Sequence, residues 1–152
     1  MISKNKISML SKKSFTDCKN SLLKYLGGAL ITAKGIWITN GYWCVFSYGD
    51  YSSYKDVVKV KLSEDYPLDE LKKVFSYHSD SKIDVKIKEE NLSQSKVLVN
   101  NFYFKSDYIK LALKLFSKKV KPLYIEVYDK CLLKYINKDA IMIIISNGEI
   151  DE

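Results

Sequence analysis

His78, the single histidine of the 152-residue chain, stands at the end of a helical pattern beside "SDSK". Imidazole is the side chain most readily used as a general base near neutral pH, but no serine or cysteine stands at a spacing that pairs with it. Cys18, Cys44 and Cys131 are widely separated, with neither a CxxC pair for zinc nor an even-numbered disulfide framework. Glu64, Asp65, Asp69 and Glu70 gather at a helix start, where carboxylates favour the macrodipole. Glu89-Glu90 and the terminal Glu149, Asp151 and Glu152 read as solvated. Gly27-Gly28 lacks the lysine and the helix start of a phosphate loop. The residue types that catalyse are present without the spacings that would make them act together. The expectation is a protein that is not an enzyme and carries no cofactor and no metal.

Two other chemistries are better represented. The formal charge is +7, and all 25 basic residues are lysine. Arginine is the usual bidentate reader of guanine and phosphate, whereas lysine is a flexible point charge. A basic, arginine-free protein on DNA tracks backbone rather than reading bases. Codon bias of an A+T-rich genome produces the same composition, which leaves a charge function open. Lys110, Lys114 and Lys118 share one face of a helical pattern over Ser106–Lys119, with Asp107 beside them and Ile109, Ala112, Leu113 and Phe116 opposite. A weaker polar face, Lys13, Asp17, Asn20 and Lys24 with Lys12 and Lys19 nearby, lies on an earlier pattern over Phe15–Leu26.

The aromatic residues concentrate in "GIWITNGYWCVF" (35–46). Asn40-Gly41 is a pair that accepts positive φ at both central positions of a two-residue turn, which would set Ile38 opposite Trp43 and Trp37 opposite Cys44. One face then holds Ile36, Ile38, Trp43 and Val45, and the other Trp37, Tyr42, Cys44, Phe46 and Tyr48. A half-exposed antiparallel hairpin is apolar on one face only; this one is apolar on both. A covering helix layer accounts for the first face. For the second, the loop 47–56 or another layer competes with a partner docked on Trp37, Tyr42, Phe46, Tyr48 and Tyr51, aromatic residues being enriched at interfaces.

The elements that must position these groups follow from periodicity and turn residues. Residues 1–14 read as a basic N-terminal segment with a short edge strand around Ile7–Leu10, 15–146 as a single α+β domain, and 147–152 as an acidic, frayed tail. Strands are expected at Ala29–Thr32, Ile36–Thr39, Tyr42–Tyr48, Val57–Leu62, Ile83–Lys88, Lys96–Val99, Phe102–Phe104, Leu123–Tyr128, Cys131–Tyr135 and Ala140–Ile145. A helix capped by Asp65 carries Leu68, Leu71, Val74 and Phe75. The front and the back share an order, a helix followed by a three-stranded meander, so the expected fold is a duplicated unit with antiparallel sheet and both helices on one side. No apolar run is long enough to span a bilayer, and no apolar leader opens the chain. A cytoplasmic, reducing compartment is expected.

"GALITAKGIWITNGYWCVF", with Thr39-Asn40-Gly41-Tyr42, resembles the strand and "T-D-G-Y/R" hairpin after the first helix of a bacterial-type DNA sliding clamp domain, with asparagine for aspartate. "FYFKSDYIKLALKLFSKK" is similar to the entry of such a domain into its second helix. "KPLYIEVYDKCLLKYINKDAIMIIIS" is similar to its closing meander, although Ile141-Met142-Ile143 lacks the family's proline. The resemblance covers most of 15–48 and 102–146. It implies a non-catalytic fold whose helices line a basic inner surface facing duplex DNA, here Lys19, Lys24, Lys110, Lys114 and Lys118. A clamp chain has three such domains and this one has room for one, so a ring would require self-association. The alternative expectation is a small inhibitor or adaptor of a virus or mobile element, binding a host protein such as an antiviral nuclease of the CRISPR type through the hairpin 35–48. A third is a single-strand binder using stacked tyrosines.

Overall fold

The computed structural model describes residues 1–18, 28–58, 72, 73, 75, 83, 84, 87–117, 119–127, 130–146, 148 and 149. Helix α1 spans Lys4–Cys18. Strands β1 (Gly28–Ile31), β2 (Gly35–Thr39) and β3 (Trp43–Tyr48) follow, then a 3-10 turn over Ser52–Val57 and the short β4 (Ile83–Asp84). A second 3-10 turn, Glu89–Ser93, leads to β5 (Lys96–Val99) and β6 (Phe102–Lys105), and then to helix α2 (Ser106–Leu115). Strands β7 (Leu123–Val127), β8 (Lys130–Ile136), β9 (Ile141–Ile145) and β10 (Gly148–Glu149) complete the described elements. The fold is α+β.

One sheet has seven strands in the order β1-β2-β3-β9-β8-β7-β4, and a smaller one has the order β10-β6-β5. Every pairing is antiparallel. The two meanders, β1–β3 and β7–β9, lie side by side in opposite order and join at β3 and β9. Each follows a helix. Helix α1 rests on β1 and β2, and α2 touches β9. Both bury side chains in one core with Ile36, Ile38, Trp43, Val45, Leu133, Tyr135, Met142 and Ile144. These eight residues share a single sheet face by register, since Val45 pairs with Met142, Trp43 with Ile144, and Tyr135 with Met142. The helices therefore form a layer on one side of the sheet.

The N-terminal segment belongs to that core. Residues 7–10, expected as an edge strand of a separate piece, are helical, and Ile2, Ile7 and Leu10 are buried. Ser3 opens the helix, its Oγ accepting from the Lys6 N–H at 3.3 Å and its carbonyl from the Ile7 N–H at 3.0 Å. The buried stripe is Ile7, Leu10, Ser11 and Ser14, spaced i, i+3, i+4, i+7. Two of its four members are serine, and this hides the period from a hydrophobicity reading. Ser14 donates to the Ser11 carbonyl at 2.9 Å, so its hydroxyl is satisfied without water.

Other boundaries shift for local reasons. Helix α2 ends at Leu115 rather than Lys119, because Phe116 turns to extended backbone and stacks on Tyr135 in the core with ring centroids 5.6 Å apart. Val57 closes a 3-10 turn instead of opening a strand, and 59–62 lie outside the described residues. Of the expected strand 83–88, Ile83–Asp84 pairs with β7, while Ile87 and Lys88 are outside any strand. The acidic tail is not wholly frayed: Gly148 pairs with Tyr103 and Glu149 with Phe102. Leu68, Leu71 and Val74 lie outside the described residues; Lys72, Lys73 and Phe75 are helical.

The β2–β3 register differs from the expected one. Thr39 pairs with Cys44, Ile38 with Val45 and Trp37 with Phe46, so four residues rather than two separate the paired ends. Asn40 does not adopt positive φ; Gly41 does, at 92°. The Asn40 side chain instead accepts from the N–H groups of Tyr42 at 2.8 Å and Trp43 at 2.9 Å, while Thr39 Oγ1 donates to the Trp43 carbonyl at 2.6 Å. The two-residue geometry occurs at β5–β6, where Asn100 and Asn101 both have positive φ, 49° and 73°. The β2–β3 slip is of two residues. Side chains alternate with period two, so each residue keeps the face assigned to it.

Candidate functional site

The helix layer presents its outer surface away from the sheet. On α2, Lys110 and Lys114 are exposed, as are Lys105, Lys119 and Lys121 around its ends and Asp107 in its first turn. On α1, Lys4, Lys6 and Lys12 are exposed and Lys13 is half-buried. Lys19, Lys24 and Lys118 lie outside the described residues. Lys4 pairs with Asp56 at 3.5 Å on an exposed rim, a contact of the weak, screened kind. Both described helices thus contribute ammonium groups to one side of the molecule. Helix α1 starts at Lys4 rather than near Phe15, which brings Lys4, Lys6 and Lys12 onto it.

The opposite sheet face answers the question posed by the two-sided hairpin. Trp37, Cys44 and Phe46 form a buried cluster with Leu30 and Phe75 packed against it, and Ile125, Leu132 and Ile143 form a second cluster that also meets Phe75. Trp37 is 5% exposed and Phe46 6%. Their rings lie 4.4 Å apart, and Phe75 meets Trp37 edge-on at 5.1 Å. Lys134, also buried on this face, donates from Nζ to the Phe75 carbonyl at 2.8 Å. Burial lowers its pKa. The covering element thus comes from the chain itself, and Trp37 and Phe46 are not a bare interface. Tyr51 leaves the expected interface altogether. It is fully buried in the main core, with its hydroxyl 2.6 Å from Ser47 Oγ and accepting from the Ile2 N–H at 2.8 Å. Of the five expected interface residues only Tyr42 (46%) and Tyr48 (67%) are exposed.

At the end of this face nearest the β1–β2 turn, the cover is incomplete. Lys34, Trp37, Phe46, Tyr48, Lys72, Phe75 and Ile141 line a cleft of about 350 Å³. Tyr48 stands edge-on to Phe46 at 4.6 Å, extending the ring series from Phe75 through Trp37 and Phe46 to solvent. Gly35 makes this possible. A Cβ there would lie 2.2 Å from the Ser47 carbonyl oxygen and 2.9 Å from the Phe46 ring, so only glycine admits the ring so close to the strand. Sequence reasoning missed Lys34 and Lys72 as neighbours of these aromatics. The i,i+3 spacing of Lys72 and Phe75 on one helical pattern was the available signal.

Among the described residues no three of His, Cys, Asp and Glu come together as metal ligands. His78, Glu64, Asp65, Asp69 and Glu70 lie outside them. Among the described residues no helix is long and apolar enough to cross a membrane. No protein-family model, no curated protein and no solved structure matches the chain.

Proposed function

We propose that this chain is a non-catalytic, clamp-like accessory protein that holds duplex DNA by charge on the outer surface of its helix layer, without reading sequence. The observation that carries the proposal is that α1 and α2 rest on one face of one antiparallel sheet, with exposed Lys4, Lys6, Lys12, Lys110 and Lys114 on that side. Flexible ammonium groups on a rigid helix layer suit the phosphate backbone, where affinity comes from counterion release and carries no base preference. The absence of arginine fits the same mode. The adaptor alternative loses support because three of its five contact residues are buried within the chain.

The test is duplex binding against salt, by fluorescence polarisation with two unrelated sequences of equal length. The two should bind alike, and the paired substitution Lys110→Glu with Lys114→Glu should weaken both roughly tenfold or more. If each lysine meets one phosphate, the log–log salt slope should fall by about two, at about 0.9 per contact. Failure of the unmodified protein to bind duplex at low salt would remove the proposal.

A further inference from the structure

The cleft on the opposite sheet face brings two kinds of group together. It has an aromatic wall, Trp37, Phe46, Tyr48 and Phe75, and two lysines, Lys34 and Lys72, at the same opening. Its volume, about 350 Å³, lies at the small end of ligand sites. Tyr48 is the most exposed large apolar side chain among the described residues, at 67%. Its ring meets Phe46 edge-on and is otherwise largely exposed, so ring surface remains free for stacking. A flat π-face beside a pair of point charges is complementary to a planar ring that carries a diffuse anion. Lysine does not offer the planar fork that favours a carboxylate, but it serves a phosphate well.

We infer that this cleft takes one nucleotide of a single-stranded nucleic acid, the base stacked on Tyr48 against the Phe46 and Trp37 wall and the phosphate between Lys34 and Lys72. The site is independent of the duplex surface, since the sheet separates the two. A base–aromatic stack tolerates any base, so binding here is also sequence-independent. Trp37 reports on the cleft directly. The other tryptophan, Trp43, is buried on the helix side of the sheet and provides a constant background.

The experiment follows Trp37 fluorescence while the intact protein is titrated with a short oligothymidylate, with labelled-strand polarisation in parallel. Quenching that saturates with binding is expected. Tyr48→Ala should weaken it by about fivefold to about a hundredfold, the range for losing one stacked base. Tyr48→Phe should restore it, and Lys34→Ser or Lys72→Ser should weaken it with a reduced salt slope. The Lys110→Glu and Lys114→Glu pair should leave the quench in place while lowering duplex affinity, and Tyr48→Ala should do the reverse. Equal quenching by Tyr48→Ala and the unmodified protein would overturn the inference. So would the absence of any quench, or loss of the quench only in the helix-layer variant. Thymidine monophosphate quenching as tightly as the strand would overturn the assignment to a strand in favour of a free nucleotide.

Discussion

Cys44 shows how one side chain ties packing to pH. It lies on the second sheet face between Thr39 and Ile143 in register, and burial pushes its thiol well above the ordinary 9.0, the Thr39 hydrogen bond opposing only in part. Tyr124 and Tyr135 are raised above 10.0 as well, both chiefly by burial. The Tyr124 hydroxyl also donates to Glu126 at 2.8 Å and lies 2.9 Å from Cys131 Sγ. A group whose native pKa is raised contributes stability below its unfolded value. That stability is lost as pH rises, because the unfolded chain ionises first. Stability should therefore decline from about pH 9, where Cys44 begins to ionise in the unfolded chain, and more steeply from about pH 10 as the tyrosines join. Lys134 has the opposite sign. Its pKa is lowered, so the cost of burying its charge relaxes as pH approaches 10.5. Urea unfolding at pH 8.0, 9.0 and 9.7 under reducing conditions reads the balance. Cys44→Ala should give a shallower decline over this interval than the unmodified protein, whatever the cavity costs at pH 8.0. An unchanged slope would place the alkaline sensitivity elsewhere.

At the scale of the element, the hairpin β2–β3 separates what was legible in the sequence from what was not. Its alternation fixed which residues share a face, and that assignment survives because the register error was even. The turn type was not legible. Asn-Gly favours a two-residue loop, but here the asparagine spends its side-chain oxygen on two backbone N–H groups, a choice made by Thr39 and the buried Trp43 that only the folded hairpin presents. Asn40 is itself 1% exposed. Asn40→Ala should cost about 2 kcal/mol, because two N–H groups lose their acceptor and one of them is buried. Asn40→Asp retains the acceptor and should cost less, although it must bury charge. Thermal unfolding of the two variants checks the order. Trp37→Ala now belongs with the core: like Trp43→Ala, it should cost about 3–5 kcal/mol. A Trp37→Ala protein as stable as the unmodified one would return that face to the surface.

At the scale of the whole molecule, α+β class and the repeated helix-plus-meander order were readable from strand alternation and turn residues, as was the opposition of lysine and apolar stripes on α2. The aromatic–lysine cleft was not, because it joins Lys34 from a turn and Lys72 and Phe75 from a distant segment, and sequence spacing carries no information about such a meeting. Nor was the membership of the first helix in the core, since serine fills half of its buried stripe. That first helix has two roles that can be separated. Ile2, Ile7 and Leu10 are buried, each contributing roughly 1.5–3 kcal/mol, against a typical total stability of about 5–15 kcal/mol. Removal of residues 1–14 should therefore unfold the chain rather than trim it, which loss of a cooperative thermal transition by circular dichroism would register. Lys4→Gln, Lys6→Gln and Lys12→Gln together leave the buried stripe untouched. Glutamine supports a helix about as well as lysine, so the variant should melt within a few degrees of the unmodified protein. Its duplex affinity should nevertheless fall, with a salt slope lower by up to about 0.9 for each lysine that meets a phosphate. A folded truncated chain would show that the segment is an appendage after all. A triple variant with unchanged duplex binding would confine the DNA surface to α2.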